Sequence, residues 1–277
     1  MGTVTLSAVR AARDRMDDPE VVQRTPVERS RTLSRLCGGD VQLKMEHLQR
    51  TGSFKTRGAY NKLAQLSSDD PPERVVAASA GNHAQGVALA ATSFGVDSTI
   101  VMPETAPQAK IDATRGYGAT VELVGQQFSD ALAHAESLAD DPDTTFVHAY
   151  DDRDVIAGQG TLGLELLDQI DDIDTLLVPV GGGGLISGVA TAVGEVAPEV
   201  EIVGVQAEGA ATVPESLDAG EPVAEEDPDT IADGIATGGI SELTLAHIEQ
   251  YVDRVVTVSD DDIAWAVLTL LERAKQL

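Results

Sequence analysis

Three short segments of the chain carry residues that could do chemistry. Residues 51–59 place the amine of Lys55 near a predicted helix start, and its neighbours Gly52, Ser53, Phe54 and Gly58 are small or apolar. Residues 79–86 read Ser-Ala-Gly-Asn-His-Ala-Gln-Gly and join a predicted strand to a predicted helix. Residues 181–184 are four glycines that follow an apolar strand and precede Leu185. Together the segments offer a nucleophilic amine, a backbone cradle for an anion and a glycine loop for a phosphate.

The position of Lys55 suits covalent catalysis. Ser53 is a good N-cap residue, which predicts a helix that has Lys55 in its first turn and reaches about Leu66. The positive helix end and burial both lower the pKa of an amine from its ordinary value near 10.4. A neutral amine attacks an aldehyde to form a Schiff base. An ordinary surface lysine is the alternative, but the chain has only five lysines and the neighbours of Lys55 are small or apolar.

The turn Ser79-Ala80-Gly81 precedes a helix that we expect to begin at Asn82. Free N–H groups at a helix start bind anions, so a substrate carboxylate fits there. The Asn82 side chain could hydrogen-bond an oxygen atom on the ring of a bound ligand. An ordinary capped turn between strand and helix is the alternative, and a lone histidine such as His83 is more often structural than catalytic.

The glycine run, Gly181, Gly182, Gly183 and Gly184, allows the backbone to approach an anion closely. A P-loop is excluded because Leu185 stands where that motif has lysine. The dinucleotide motif is excluded because Ile186 or Ser187 occupies its last glycine position. A phosphate monoester site is the best remaining interpretation, and a merely tight turn is the alternative.

Short apolar runs alternate with helical stretches from residue 74 onward, which predicts a largely parallel sheet covered on both faces. Residues 209–240 are rich in Gly, Pro, Asp and Glu, and we expect them to be mostly irregular. We expect a last helix capped by Ser259 that runs to residue 277. The predicted strands are 75–79, 98–102, 119–124, 145–148, 175–180, 201–208 and 254–258. The predicted helices before the last one are 82–94, 108–117, 128–138, 160–170 and 185–197.

The composition is strongly acidic, with a formal net charge of −27 and a pI near 4.3. Molar salt shortens the Debye length to roughly 3 Å, so we expect a halophilic protein that needs salt for stability. Residues 1–57 are the exception, with eleven Lys and Arg against seven Asp and Glu. The acidic remainder argues against nucleic-acid binding. We expect the basic segment to pack on acidic surface of its own chain or of a second subunit in a homo-oligomer.

Cysteine and hydropathy patterns exclude other classes. Cys37 is the single cysteine, so no internal disulfide forms, and no Cys and His spacing suits zinc. No stretch reaches the ~18–20 apolar residues of a membrane span, and no signal sequence is evident. We therefore expect a soluble, cytoplasmic protein.

The three motifs in this order resemble the threonine dehydratase (threonine ammonia-lyase) branch of the fold type II pyridoxal-phosphate enzymes, from about residue 25 onward. The resemblance implies an α/β fold of two doubly wound domains with mostly parallel sheets, similar to the tryptophan synthase β subunit. The larger cofactor-binding domain would comprise residues 1–72 and 155–277. The smaller domain, residues 73–154, would close over the substrate.

The resemblance also implies roles for individual residues. Lys55 would carry pyridoxal 5'-phosphate and remove the Cα proton, with Phe54 beside the ring and Asn82 bonded to the pyridine oxygen. Ser79, Ala80, Gly81, Asn82 and His83 would receive the substrate carboxylate, and Gly181, Gly182, Gly183, Gly184 and Leu185 would hold the phosphate. The implied reaction is β-elimination of L-threonine, and of L-serine, to 2-oxobutanoate or pyruvate and ammonia, as in isoleucine biosynthesis.

Three departures from the family pattern bear on these expectations. Ala80 stands where serine racemases have a serine, which argues against racemisation. Metal-binding relatives have an aspartate six residues after a glutamate, but Glu208 is followed at that spacing by Pro214, so no metal is expected. Family members continue past the position of Leu277 into a strand whose serine faces the pyridine nitrogen, so we expect the larger domain to lack that part. A non-catalytic remnant, another family member such as serine racemase or threonine synthase, and a nicotinamide-binding Rossmann protein are the alternatives.

Overall fold

A computed structural model describes residues 2–68, 71–225 and 227–274, which form two compact units. The lysine unit, named for Lys55, consists of Gly2–Arg24 and Glu46–Thr161. The glycine unit, named for the glycine run, consists of Thr25–Met45 and the described residues from Leu162 onward. This grouping by compactness does not test which part closes over a ligand. The predicted boundaries at 72/73 and 154/155 therefore stay a prediction.

The lysine unit contains a four-stranded parallel sheet with the order β5-β4-β3-β6. Its strands are β3 (Arg74–Ala78), β4 (Asp97–Met102), β5 (Thr120–Leu123) and β6 (Thr144–Phe146). Its helices are α1 (Leu6–Arg15), α3 (Lys55–Leu66), α4 (Asn82–Phe94), α5 (Gln108–Gly116), α6 (Phe128–Leu138) and the first part of α7 (Arg153–Gln169). Alternate residues of β3 enter two apolar clusters, Val75 and Ala77 the one that includes α4, Val76 and Ala78 the one that includes α6. The sheet is thus covered on both faces, as predicted.

The glycine unit contains a three-stranded parallel sheet with the order β7-β8-β9 and a short antiparallel hairpin. The strands are β1 (Val27–Arg29) and β2 (Gln42–Lys44) in the hairpin, and β7 (Thr175–Pro179), β8 (Glu201–Ala207) and β9 (Arg254–Val258) in the sheet. The helices are α2 (Arg31–Cys37), the rest of α7, α8 (Gly184–Val196), α9 (Val213–Ala219), α10 (Glu242–Tyr251) and α11 (Asp260–Thr269). An α/β fold with parallel sheets is confirmed.

Two predicted helices need correction, and one predicted irregular segment contains a short helix. Helix α7 begins at Arg153 rather than at residue 160, because Asp152 Oδ1 accepts from the N–H groups of Asp154 and Val155 and so caps an earlier start. The described residues within 209–240 are mostly irregular, as expected, but they include the seven-residue helix α9. Ser259 caps α11 as predicted, but the α-helix ends at Thr269 and one π turn follows to Ala274. Residues 275–277, to which that helix was predicted to run, lie outside the described residues.

Within the part of the chain that the structure describes, no helix is both long and apolar enough to cross a membrane.

Candidate functional site

Lys55 is the first residue of α3, as predicted, but Ser53 does not cap this helix. Phe54 holds the N-cap position with helical backbone angles and makes no side-chain cap bond. Ser53 lies one position too early, and its buried hydroxyl has no hydrogen-bond partner among the described residues. The amides at the start of α3 are therefore not satisfied by Ser53, so the predicted cap is wrong.

The Lys55 side chain is partly buried and its amine is oriented by one backbone acceptor. Nζ donates to the carbonyl oxygen of Ala149 at 3.0 Å and lies 5.4 Å from the centre of the Phe54 ring. Because its surroundings withhold water from the charged form, the pKa of Lys55 is lowered to about 8. The direction agrees with the expectation from sequence. An appreciable fraction of the amine is therefore neutral near neutral pH and able to attack a carbonyl carbon.

A buried ion pair holds the first turn of α3. Arg57, whose side chain is fully buried, donates from Nε to Glu46 at 2.7 Å and from a terminal nitrogen to the other carboxylate oxygen at 2.8 Å. The same guanidinium reaches Thr161 Oγ1 at 3.3 Å and the carbonyl oxygen of Gln23 at 3.4 Å. The pair joins the two ends of the segment 46–57, which includes Lys55, so it restricts the position of the lysine backbone.

Glycines allow two helices to approach α3 closely. A Cβ on Gly158 of α7 would lie 2.5 Å from Arg57 O and 2.6 Å from Gly58 Cα. A Cβ on Gly86 of α4 would lie 3.1 Å from the carbonyl carbon and oxygen of Lys55. Larger residues at these positions would displace the backbone that carries the lysine.

The turn after β3 leaves the start of α4 open. Ser79 Oγ accepts from the N–H of Gly81 at 3.1 Å, and no side chain in the described part of the chain caps α4. A Cβ on Gly81 would meet no atom of the described residues within 4 Å, and Asn82 is exposed. The capped-turn interpretation is therefore not supported, and the N–H groups at this helix start are placed to bind an anion. The His83 side chain is buried with Nε2 against Val147 O, so only its backbone is available to such an anion.

The glycine run forms the turn between β7 and α8 in the glycine unit. Gly183 is the N-cap residue with φ of 86°, and its Cβ would lie 2.8 Å from Thr244 Cβ, so glycine is needed there. The first hydrogen bond of α8 runs from Ser187 N–H to Gly183 O at 2.9 Å. The amides of residues 182–186 therefore have no helical acceptor, and the helix dipole favours negative charge at this point. The loop is chemically suited to a phosphate.

Two features of the site were missed from the sequence. The acceptors Ala149 O and Val147 O are backbone atoms and leave no mark in the sequence. The ion pair of Glu46 and Arg57 could have been found from the sequence, because the two residues have opposite charges and lie on either side of Lys55. Among the described residues, no group of three or more His, Cys, Asp or Glu side chains is suited to a metal ion.

Comparisons with known proteins agree with this chemistry. The family described as pyridoxal-phosphate dependent enzyme matches residues 19–277. The chain is 48% identical over 272 residues to an L-threonine ammonia-lyase of Thermotoga maritima, covering 98% of this chain and 67% of that protein. The processed form of threonine deaminase isoform 2 from Solanum lycopersicum is similar in structure, with a TM-score of 0.92 and 40% identity over 98% of this chain and 74% of that chain. Maize serine racemase gives a TM-score of 0.94 and 33% identity over 99% of this chain and 82% of that chain.

Proposed function

Because this chain belongs to the pyridoxal-phosphate dependent enzyme family, we propose that it is a threonine ammonia-lyase that converts L-threonine to 2-oxobutanoate and ammonia. L-Serine would give pyruvate by the same elimination. The observation that carries the proposal is Lys55, an amine with its pKa lowered to about 8 at the start of α3. The 48% identity to an L-threonine ammonia-lyase supports the choice of substrate.

The groups present fit pyridoxal phosphate, the cofactor of the family. Its aldehyde requires a neutral amine, which Lys55 supplies, and the Phe54 ring lies beside that amine. Its phosphate requires N–H donors, and we assign these to the loop of Gly181, Gly182, Gly183, Gly184 and Leu185. Asn82 is exposed, and we assign the hydrogen bond to the ring oxygen to its side chain. When bound, the cofactor supplies an electron sink for the negative charge left at Cα as the proton departs.

The residues of the chain then bind, orient and deprotonate the substrate. We assign the carboxylate of the amino acid to the open start of α4, within Ser79, Ala80, Gly81, Asn82 and His83. Lys55 acts as the general base on the Cα proton, because a lowered pKa keeps part of the amine neutral at working pH. The partial burial of Lys55 limits the access of water to the amine.

Ala80 favours elimination over racemisation, despite the similarity to maize serine racemase. Racemisation requires a second acid or base on the opposite face of the substrate, and Ala80 stands where serine racemases have a hydroxyl. The Ala80 side chain instead packs on the apolar cluster that includes α4. We therefore expect no formation of D-serine.

Four finer predictions remain proposals. They are a homo-oligomeric state, a cytoplasmic location, a halophilic character and a role in isoleucine biosynthesis.

The test is keto-acid production from L-threonine by the chain with added pyridoxal phosphate in strong KCl. Lys55→Ala should lower the rate about 10²- to 10⁴-fold or more, the size of effect expected when a general base is removed. Lys110→Ala, which removes a lysine from α5, is the matched control and should remain active. Product formation at the wild-type rate by a folded Lys55→Ala variant would refute the role of Lys55. Absence of product from a folded wild-type chain would refute the proposed function.

A further inference from the structure

Two side chains hydrogen-bond to one short segment that follows β6, residues 147–149. His83 Nε2 lies 2.9 Å from the carbonyl oxygen of Val147, and Lys55 Nζ lies 3.0 Å from that of Ala149. The N–H of Val147 donates to Val76 O at 2.8 Å, which continues the pairing of β6 with β3. Segment 147–149 is therefore a shared support for the buried imidazole and the reactive amine.

The next residues hold the other side of this segment. Nδ1 of His148 accepts from the N–H groups of Tyr150 at 3.2 Å and Asp151 at 2.8 Å. The His148 ring also packs edge-on against Tyr150, with 4.7 Å between the ring centres. These contacts fix the turn that follows Val147, so a contact at Val147 also restricts where Ala149 lies.

The protonation state of His83 follows from its contacts. A carbonyl oxygen only accepts, so Nε2 must carry the proton that bonds to Val147. Nδ1 is buried and has no hydrogen-bond partner among the described residues. Burial first, and then the positive charge of Lys55, lower the pKa of His83 to about 3. The imidazole is therefore neutral at working pH and tolerates Lys55 in either of its charge states.

The Ala149 carbonyl determines how the amine of Lys55 points. A neutral amine has two N–H bonds and one lone pair, so engaging one N–H restricts rotation about the Cε–Nζ bond. Helix α4 thus restricts Lys55 at both ends of that residue, directly at the backbone and indirectly at the amine. Gly86 packs on the Lys55 backbone, and His83 acts on the amine through segment 147–149.

We propose that the His83 side chain is a positioning residue for Lys55. By holding Val147 O, it keeps Ala149 O where that oxygen accepts from the amine. This inference rests on the proposed function of Lys55 as the residue that bonds the cofactor. It gives the His83 side chain a role separate from the backbone N–H groups that we assign to the substrate carboxylate.

Three substitutions at His83 separate the hydrogen bond from packing. His83→Gln places an amide nitrogen where Nε2 lies and keeps the donor to Val147. His83→Asn is one methylene shorter and cannot reach, and His83→Leu fills space without a donor. His247→Leu is the matched control, since His247 is a fully buried histidine of the glycine unit whose Nδ1 lies 2.9 Å from Thr191 Oγ1.

The measurement is the rate at which added pyridoxal phosphate becomes covalently attached to Lys55 in the cofactor-free chain. The attached form is trapped with borohydride and located by peptide mass spectrometry, and thermal unfolding reports the stability of each variant. We expect His83→Asn and His83→Leu to slow attachment about fivefold to tenfold, the equivalent of one hydrogen bond. We expect His83→Gln to stay within about twofold of wild type. His247→Leu should lower the melting temperature without changing the attachment rate.

Equal attachment rates for the Gln and Asn variants would overturn the proposal, and this pair carries the test if the Leu variant does not fold. A slower rate in His247→Leu would also overturn it, because lost stability alone would then account for the effect. The result is independent of turnover. Attachment in the expected order without keto-acid production would refute the proposed function and leave the positioning role standing.

Discussion

The buried ion pair of Glu46 and Arg57 allows a quantitative test of what holds the segment 46–57, which carries Lys55. The Arg57 side chain is 0% exposed and that of Glu46 is 11% exposed, with charge-assisted contacts of 2.7 and 2.8 Å. Glu46→Gln keeps the shape but replaces one acceptor oxygen by an amide that donates toward the guanidinium. A buried, uncompensated positive charge then remains on Arg57.

Breaking a buried pair by removing one charge costs about 3–5 kcal/mol of the free energy of unfolding. For a protein of this size, that loss lowers the melting temperature by on the order of 10 °C. The control is Asp141→Asn in the same unit, because Asp141 lies 3.9 Å from Arg74 with side chains 53% and 34% exposed. An exposed pair contributes only about 0–1 kcal/mol, so the control should melt within a few degrees of wild type.

Thermal and urea unfolding followed by circular dichroism measure both variants. Covalent attachment of pyridoxal phosphate to Lys55 should also slow in Glu46→Gln, because the pair closes the loop that carries the lysine. Equal and small losses of stability in Glu46→Gln and Asp141→Asn would refute the reasoning. Such a result would mean that Thr161 Oγ1 and the Gln23 carbonyl oxygen are sufficient to stabilise the buried charge of Arg57 without the Glu46 carboxylate.

Three further outcomes are expected. Gly183→Ala combines a φ of 86° with a Cβ 2.8 Å from Thr244, so it should destabilise more than Gly220→Ala, where φ is 71° and no atom lies within 4 Å; equal unfolding midpoints would contradict this. Attachment of pyridoxal phosphate to Lys55 should accelerate as pH rises through about 8 and then level off, because the neutral amine is the nucleophile; a midpoint near 10.5 would contradict the lowered pKa. With a net charge of −27, the melting temperature should rise from dilute to molar KCl; no change would count against halophilic character.

Elements with strong local end signals were predicted well from the sequence. Asn82–Phe94 matches its prediction, because Gly95 takes the left-handed conformation that ends the helix. Phe128–Leu138 also matches, with a capping box between Gln127 and Asp130 at its start. Helix α9 was missed because its seven residues lie in a segment whose composition indicates a loop. The Gln206 side chain, which precedes that short helix, accepts from Val213 N–H at its first residue. The hydroxyl of Ser216, within the helix, accepts from Val223 N–H in the segment that follows.

The candidate site likewise has features that depend on consecutive residues and features that depend on residues far apart in the chain. The open start of α4 and the glycine loop are each built by consecutive residues, so the sequence itself specifies them. The orientation of the Lys55 amine depends instead on Ala149, 94 residues further along the chain, and the His83 imidazole depends on Val147, 64 residues away. Every residue offers a carbonyl oxygen, so nothing in the sequence marks these two. Only the pairing of β6 with β3 brings them to the lysine. The kinds of chemical group in the site can therefore be predicted from short stretches of sequence. The orientation of the Lys55 amine cannot, because it depends on how the strands of the sheet pair.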